Sequence, residues 1–102
     1  MTLLSIMEVY LVIEDIKYPL ELEPKGVFTT KEKATDKIIE LNKKDFDKID
    51  PLLVIKCAES FSGRNYIDVS EVWNDREEMI RNAISEDNYW GFYRILTMKL
   101  DS

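Results

Sequence analysis

Apolar residues crowd both parities of the stretch 6–14, where Ile6, Val9, Tyr10, Leu11, Val12 and Ile13 follow one another closely. A run of this kind predicts a strand covered on both faces, central in a sheet. Lys17-Tyr18-Pro19-Leu20 reads as a turn, and residues 20–28 return as a second strand with Leu22 inward and Glu21 and Glu23 outward. Pro24 lacks a backbone donor, so that strand is expected to be broken or at an edge. From Thr29 the period becomes helical. Ala34, Ile38 and Leu41 fall at i, i+4 and i+7, and Thr29 and Glu32 have capping-box spacing. Residues 42–50 read as a polar loop tethered by Phe46 and Ile49 and closed by Pro51. A second apolar run, 52–60, predicts a third strand, with Ser62-Gly63-Arg64-Asn65 as a hairpin tip and 66–72 as a fourth strand. Asn74 is then the cap of a second helix, with Glu77 at the box position and Met79, Ile80, Ala83 and Ile84 on its apolar side. Residues 89–100 form a long final strand. The expected fold is α+β: one domain over residues 1–102 in the order ββαββαβ, with helices on one face of a mainly antiparallel sheet.

This layout nearly repeats at an offset of 45 residues. Val27-Phe28-Thr29-Thr30-Lys31-Glu32 reads in type like Val72-Trp73-Asn74-Asp75-Arg76-Glu77, and Val9, Glu14 and Ile39 find identities at Val54, Glu59 and Ile84. The expectation is two superposable ββα units, with Phe28 and Trp73 buried beneath their helices as each chain enters its cap.

Charge narrows the partners. The 102 residues carry 14 basic and 20 acidic side chains, a net charge of −6. The imbalance sits at the ends: residues 1–24 hold one lysine and five acids, and residues 57–102 hold five bases and nine acids. An acidic domain is repelled by phosphate backbones, so direct nucleic-acid binding is disfavoured and a basic protein partner is favoured. No apolar run is long enough to span a bilayer, and the start of the chain has no basic region typical of a signal peptide. Cytoplasm is the expected compartment. The stretch from Met7 reads as a natural beginning, so residues 1–5 are expected to add little stability.

Candidate chemistry is sparse. The chain has no histidine, and its single cysteine, Cys57, reads as a small hydrophobe within a strand. Gly26, Gly63 and Gly91 are isolated and make no phosphate loop. Carboxylates alone can hydrolyse glycosides, but nothing in the pattern places two of them in a cleft. No catalytic, cofactor or metal residue is therefore assigned, and an enzyme is not expected. The acids can instead form a recognition surface; the residues assigned to partner binding are Glu21, Glu23, Asp68, Glu78, Glu86 and Asp87. Asp75 and Glu77 also suit a first helical turn. The aromatic run Tyr89-Trp90-Gly91-Phe92-Tyr93 reads as strand core, with Arg94 the odd charge on its face, seeking an indole or a carboxylate.

The stretch Val9-Tyr10-Leu11-Val12, followed by Gly26-Val27-Phe28-Thr29-Thr30-Lys31-Glu32-Lys33-Ala34, resembles small phage and bacterial accessory proteins of unknown function that share a strand–strand–helix pattern. The resemblance covers residues 7–41 and implies no catalytic residues. The resulting expectation is a non-enzymatic, acidic protein-binding protein: a phage-type inhibitor of a host nucleic-acid-handling or defence protein. An immunity or antitoxin-like inhibitor of a basic nuclease is the alternative, and a small-molecule or nucleotide-binding module is the alternative of another class. A homodimer through an exposed edge strand is open.

Overall fold

The computed structural model describes the backbone of residues 6–17 and 20–101. Within it lie strands β1 (Ile6–Lys17) and β2 (Leu20–Phe28), helices α1 (Lys31–Phe46), α2 (Pro51–Ser62) and α3 (Val69–Asp87), and strands β3 (Tyr89–Trp90) and β4 (Tyr93–Asp101). The strands form one antiparallel sheet in the order β2-β1-β4-β3. The α+β class and the antiparallel sheet hold. The element order is ββαααββ, and both strands predicted between residues 52 and 72 are replaced: α2 occupies the first and the entry to α3 the second. Residues 1–5, with the role expected of them, and the turn residues Tyr18-Pro19 lie outside the described residues.

β1 is central, as its two-sided apolar run requires. Val12 and Ile95 face each other across β1 and β4, and both belong to the buried cluster formed with the helices. Tyr10, Phe28 and Tyr93 pack against that cluster from the same sheet face. β2 is an edge strand, and its register slips opposite Val12 and Ile13, next to Pro24. Glu23 and Glu14 stand opposite each other there, and Lys25 bridges both at 3.1 and 3.2 Å. Those two carboxylates accept from the Lys25 ammonium and hold its pKa above the ordinary lysine value, Glu23 contributing most.

α1 begins one residue later than its box spacing suggests. Thr30, in an extended conformation, is the cap, and its hydroxyl accepts from the Lys33 N–H at 3.1 Å. The helix also runs past Leu41 to Phe46. Ala34, Ile38 and Phe46 lie on one stripe, and at the Asn42 position the side-chain amide donates to the Ile38 carbonyl at 2.9 Å. Lys44 and Asp45 are thus on the solvated side of a helix, not in a loop, while Lys43 lies over the Phe46 and Trp73 rings at 5.4 and 5.3 Å; both lysines complement the negative end of the helix dipole.

α2 forms because Pro51 stands at its first position, where the missing N–H costs nothing, and Asp50 accepts from the Leu52 N–H at 2.9 Å. Gly63 ends it in the left-handed region, at φ 72°, donating to the Glu59 carbonyl. α3 is capped by Asp68, which accepts from the Glu71 N–H at 3.1 Å while the Glu71 carboxylate accepts from Ile67 N–H at 2.9 Å. Asn74, the predicted cap, lies inside this helix, and Glu77 pairs with Arg81 at 3.1 Å one turn on.

The internal repeat therefore has no structural counterpart. Val27 and Phe28 end a strand, whereas Val72 and Trp73 lie on a helix. Trp73 is buried against Phe46, ring centroids 5.1 Å apart, while Phe28 is half-buried before the α1 cap. Arg81 ties the two helices that flank this core, reaching Asp36 at 3.0 Å.

Candidate functional site

Among the described residues the α2–α3 elbow is a heavily hydrogen-bonded connection. Glu59, on the last turn of α2, accepts from the Tyr66 N–H at 3.0 Å. Asp75, on the second turn of α3, accepts from the Tyr66 hydroxyl at 2.9 Å and is paired with the Arg64 guanidinium. That guanidinium also stands 5.1 Å from the Tyr66 ring, within cation–π range. Its carboxylate partner Asp75 raises the Arg64 pKa, through hydrogen bonding first. With the Asp68 cap and the Glu71–Ile67 bond, four carboxylates tie Arg64, Tyr66, Ile67 and the α3 entry to the flanking helices.

Two large apolar side chains stand on this fixed frame, facing solvent. Phe61 is 93% exposed and Ile67 is 87% exposed. Leu52 and Leu53, at the other end of α2, are also exposed. Leu53, Cys57 and Phe61 recur at i, i+4 and i+8, so they form one stripe along the outer face of the helix. Cys57 is exposed as a consequence, contrary to the buried position expected of it in a strand. Scattered exposed apolar residues are ordinary; a stripe along a whole helix, with Ile67 exposed on the loop that follows it, is less so, and apolar patches mark interaction sites.

The predicted acidic residues divide. Asp68 is structural: it caps α3, and its pKa is lowered by the Ser70 hydroxyl and then by the Glu71 N–H. Glu23 is exposed on β2 but shares Lys25 with Glu14. The side chain of Glu21 lies outside the described residues. Glu78, Glu86 and Asp87 are exposed on α3, without an ion pair among the described residues. Glu86 and Asp87 sit in the last turn, which has no basic residue, and there acids oppose the helix dipole. Their charge is not explained by helix stability. The predicted residues with described side chains come from three places: Glu23 from β2, Asp68 from the cap of α3, and Glu78, Glu86 and Asp87 from α3 itself.

Sequence reasoning missed Phe61 and Ile67, because the hairpin reading put Ile67 in a strand and left Phe61 at the junction between a strand and the hairpin tip. The signal was present: Asp50-Pro51 opens a helix and Gly63 closes it, which would have placed Phe61 on a helix face and Ile67 in the following turn.

Enclosed space is small. A cavity of about 140 Å³ lies at the β3–β4 turn, lined by Asp15, Gly91, Phe92 and Arg94 among others. A shallow groove of about 280 Å³ crosses the start of α1 beside Arg81. Arg94 finds its carboxylate at Asp15, 3.2 Å away. Among the described residues no group of His, Cys, Asp and Glu is arranged to hold a metal ion, and no helix is long and apolar enough to cross a membrane.

Fold and patch define a small α+β domain with a solvent-facing helix stripe. The chain belongs to a family described as a domain of unknown function, DUF7336, which it matches over residues 7–79. The match spans β1 through the middle of α3 and so includes the whole elbow. No curated protein and no solved structure matches the chain.

Proposed function

We propose that this protein is a non-enzymatic binding protein that docks a protein partner on the outer face of α2 and its elbow. The observation that carries the reading is the exposure of Phe61, on the last turn of α2, and of Ile67, on the loop that four carboxylates tie to the flanking helices. A rigid apolar anchor loses little freedom on binding, which is the property of interface hot spots. Glu78, Glu86 and Asp87 on the adjoining helix, with the net charge of −6, favour a basic partner and speed its approach. A phage-type inhibitor acting in the cytoplasm on a host nucleic-acid-handling or defence protein fits this chemistry, and so does an immunity protein against a basic nuclease. The small-molecule alternative is less well supported. The cavity at the β3–β4 turn, about 140 Å³, falls below the ~300 Å³ at which ligand clefts begin.

The test is capture of partners from a host lysate by the wild type and by two variants whose folding is checked by circular dichroism. Phe61→Asp with Ile67→Asp should abolish retention of any specific partner. Glu78→Lys with Glu86→Lys and Asp87→Lys should leave a complex that forms more slowly and no longer weakens with salt. Asp68 is left intact, because reversing it would uncap α3. A partner retained equally by the elbow variant would refute the reading.

A further inference from the structure

The two edges of the sheet are built differently. β2 is protected against further pairing: Pro24 removes a donor, and the register slips opposite Val12 and Ile13. Proline and bulges are the usual means of blunting an edge. β4 has neither. It pairs with β1 in unbroken register from Glu14↔Tyr93 to Ile6↔Asp101, while β3 covers only its first two residues. Beyond Ile95 no described strand lies on its outer side.

Two hydrogen bonds fix which way the β4 backbone points. The Asp15 N–H donates to the Phe92 carbonyl at 2.7 Å, so even-numbered residues face β1. The Ile95 N–H donates to the Asn88 carbonyl at 2.8 Å, so odd-numbered residues face outward. Thr97, Lys99 and Asp101 therefore present their N–H and C=O groups away from the sheet. The Asn88 N–H is taken by the Ile84 carbonyl, which leaves the Ile95 carbonyl as a further acceptor.

We infer that this edge pairs with the same edge of a second copy, antiparallel, with Met98 on the two-fold axis. In that register Thr97 meets Lys99 of the other copy, and Ile95 meets Asp101. Every outward donor from 97 to 101 finds an outward acceptor. Pairing stops at Ile95, where each copy's own β3 begins. A register centred on Thr97 would drive residue 101 onto β3 of the other copy, at Tyr93. One centred on Lys99 would set two lysines opposite each other. Met98 and Leu96, 44% and 40% exposed, lie on the sheet face opposite the helices with Met7, Leu11 and Val27. The pairing extends that apolar face across the seam. A seven-residue edge buries less than the roughly 1,000 Å² of a durable interface, so the dimer belongs to the weak, reversible class. Two copies of charge −6 repel, so association should tighten as salt rises.

Sedimentation equilibrium should show monomer at micromolar concentration passing to dimer towards about millimolar, more readily at high salt. Thr97→Pro removes an outward N–H that the monomer does not use, a substitution edge strands accept; it should weaken the dimer at least about tenfold. In a Cys57→Ser background, Met98→Cys should cross-link under mild oxidation and Leu96→Cys should not, because only residue 98 meets its own copy. A chain that stays monomeric at every concentration overturns the inference. So does a dimer indifferent to Thr97→Pro, or one that cross-links at 96 as readily as at 98.

Discussion

α1 and α2 are neighbours in the chain, and they bury themselves in inverse proportion to their apolar content. α1 is mostly charged, yet it buries Ala34, Thr35, Ile38, Ile39 and Phe46. α2 reads Pro-Leu-Leu-Val-Ile-Lys-Cys-Ala-Glu-Ser-Phe-Ser and buries Val54 alone. Surroundings account for the contrast. α1 lies on β1, β2 and β4 and also meets α3, so its one apolar stripe is closed in on every side. α2 packs against α3, which covers only the side carrying Val54, Ile55 and Ala58. Burial follows from the number of surfaces that surround a helix, not from how apolar it is. The surplus on α2 is then surface that the fold itself does not need covered, and it includes Leu53 and Phe61.

The contrast can be broken first where it is strongest. Ile38 is fully buried between α1 and the rest of the core. Ile38→Ala should cost about 2–5 kcal/mol, because lost transfer energy and the cavity left behind add together. A urea titration checks it, and a loss below about 1 kcal/mol would show that the α1 stripe is looser than its burial implies.

The next effect concerns how each helix starts. Thr30→Ala removes the acceptor of the Lys33 N–H and should destabilise the protein by about 1 kcal/mol, measured in the same titration. Thr29→Ala, at the position that the capping-box spacing favoured, should change little, since Thr29 is exposed and lies outside the cap.

The cap of α3 has a pH signature. The Ser70 hydroxyl, followed by the Glu71 N–H, lowers the Asp68 pKa in the folded state. The folded protein then binds fewer protons at this site than the unfolded chain, so the contribution is fully present above the unfolded value of about 3.9 and is lost as pH falls through the folded value. Asp68→Asn keeps a cap oxygen but cannot titrate. The gap in melting temperature between wild type and variant should therefore be constant near neutral pH and close below about pH 4. A gap that persists there would mean that the charge of Asp68 contributes nothing to the α3 start.

Much of this was legible from residue order, and the failures share one cause. β1, β2, α1 and β4 declared themselves because a partner covers each of them, so burial imposes a period on the sequence. The edge position of β2 was visible in Pro24. Residues 52–55 and 66–69 carry no such period: Leu52, Leu53 and Ile67 are apolar but exposed, and apolar runs without alternation read as buried strands. The boundary residues held the missing information. Asp50-Pro51, Gly63 and the Asp68-to-Glu71 spacing are helix punctuation, and they outweigh hydropathy where packing does not set the pattern. The same error hid the candidate site, since Ile67 in a strand and Phe61 at a hairpin junction are not asked why they would face water. The acidic residues divide for a different reason. Asp68 and Asp75 hold local structure, and only hydrogen bonds in three dimensions separate them from Glu78, Glu86 and Asp87.

The smallest expected change is the sharpest test of the contrast. Phe61 is 93% exposed on the last turn of α2, and the neighbouring bonds that shape the elbow run through Glu59, Tyr66 and Asp75 without it. Phe61→Ser should leave folding stability within about 0.5 kcal/mol of wild type, as surface substitutions do. The denaturant slope should also be unchanged, because the folded state gains no compactness from the ring. An equal change in size and polarity on α1, Phe46→Ser, removes the ring stacked near Trp73 and should cost about 3 kcal/mol or more. If Phe61→Ser instead destabilised the protein by more than about 1 kcal/mol, the ring would have a partner within its own chain, and α2 would be an ordinary core helix. If stability holds while partner capture falls, the exposed ring serves an interface.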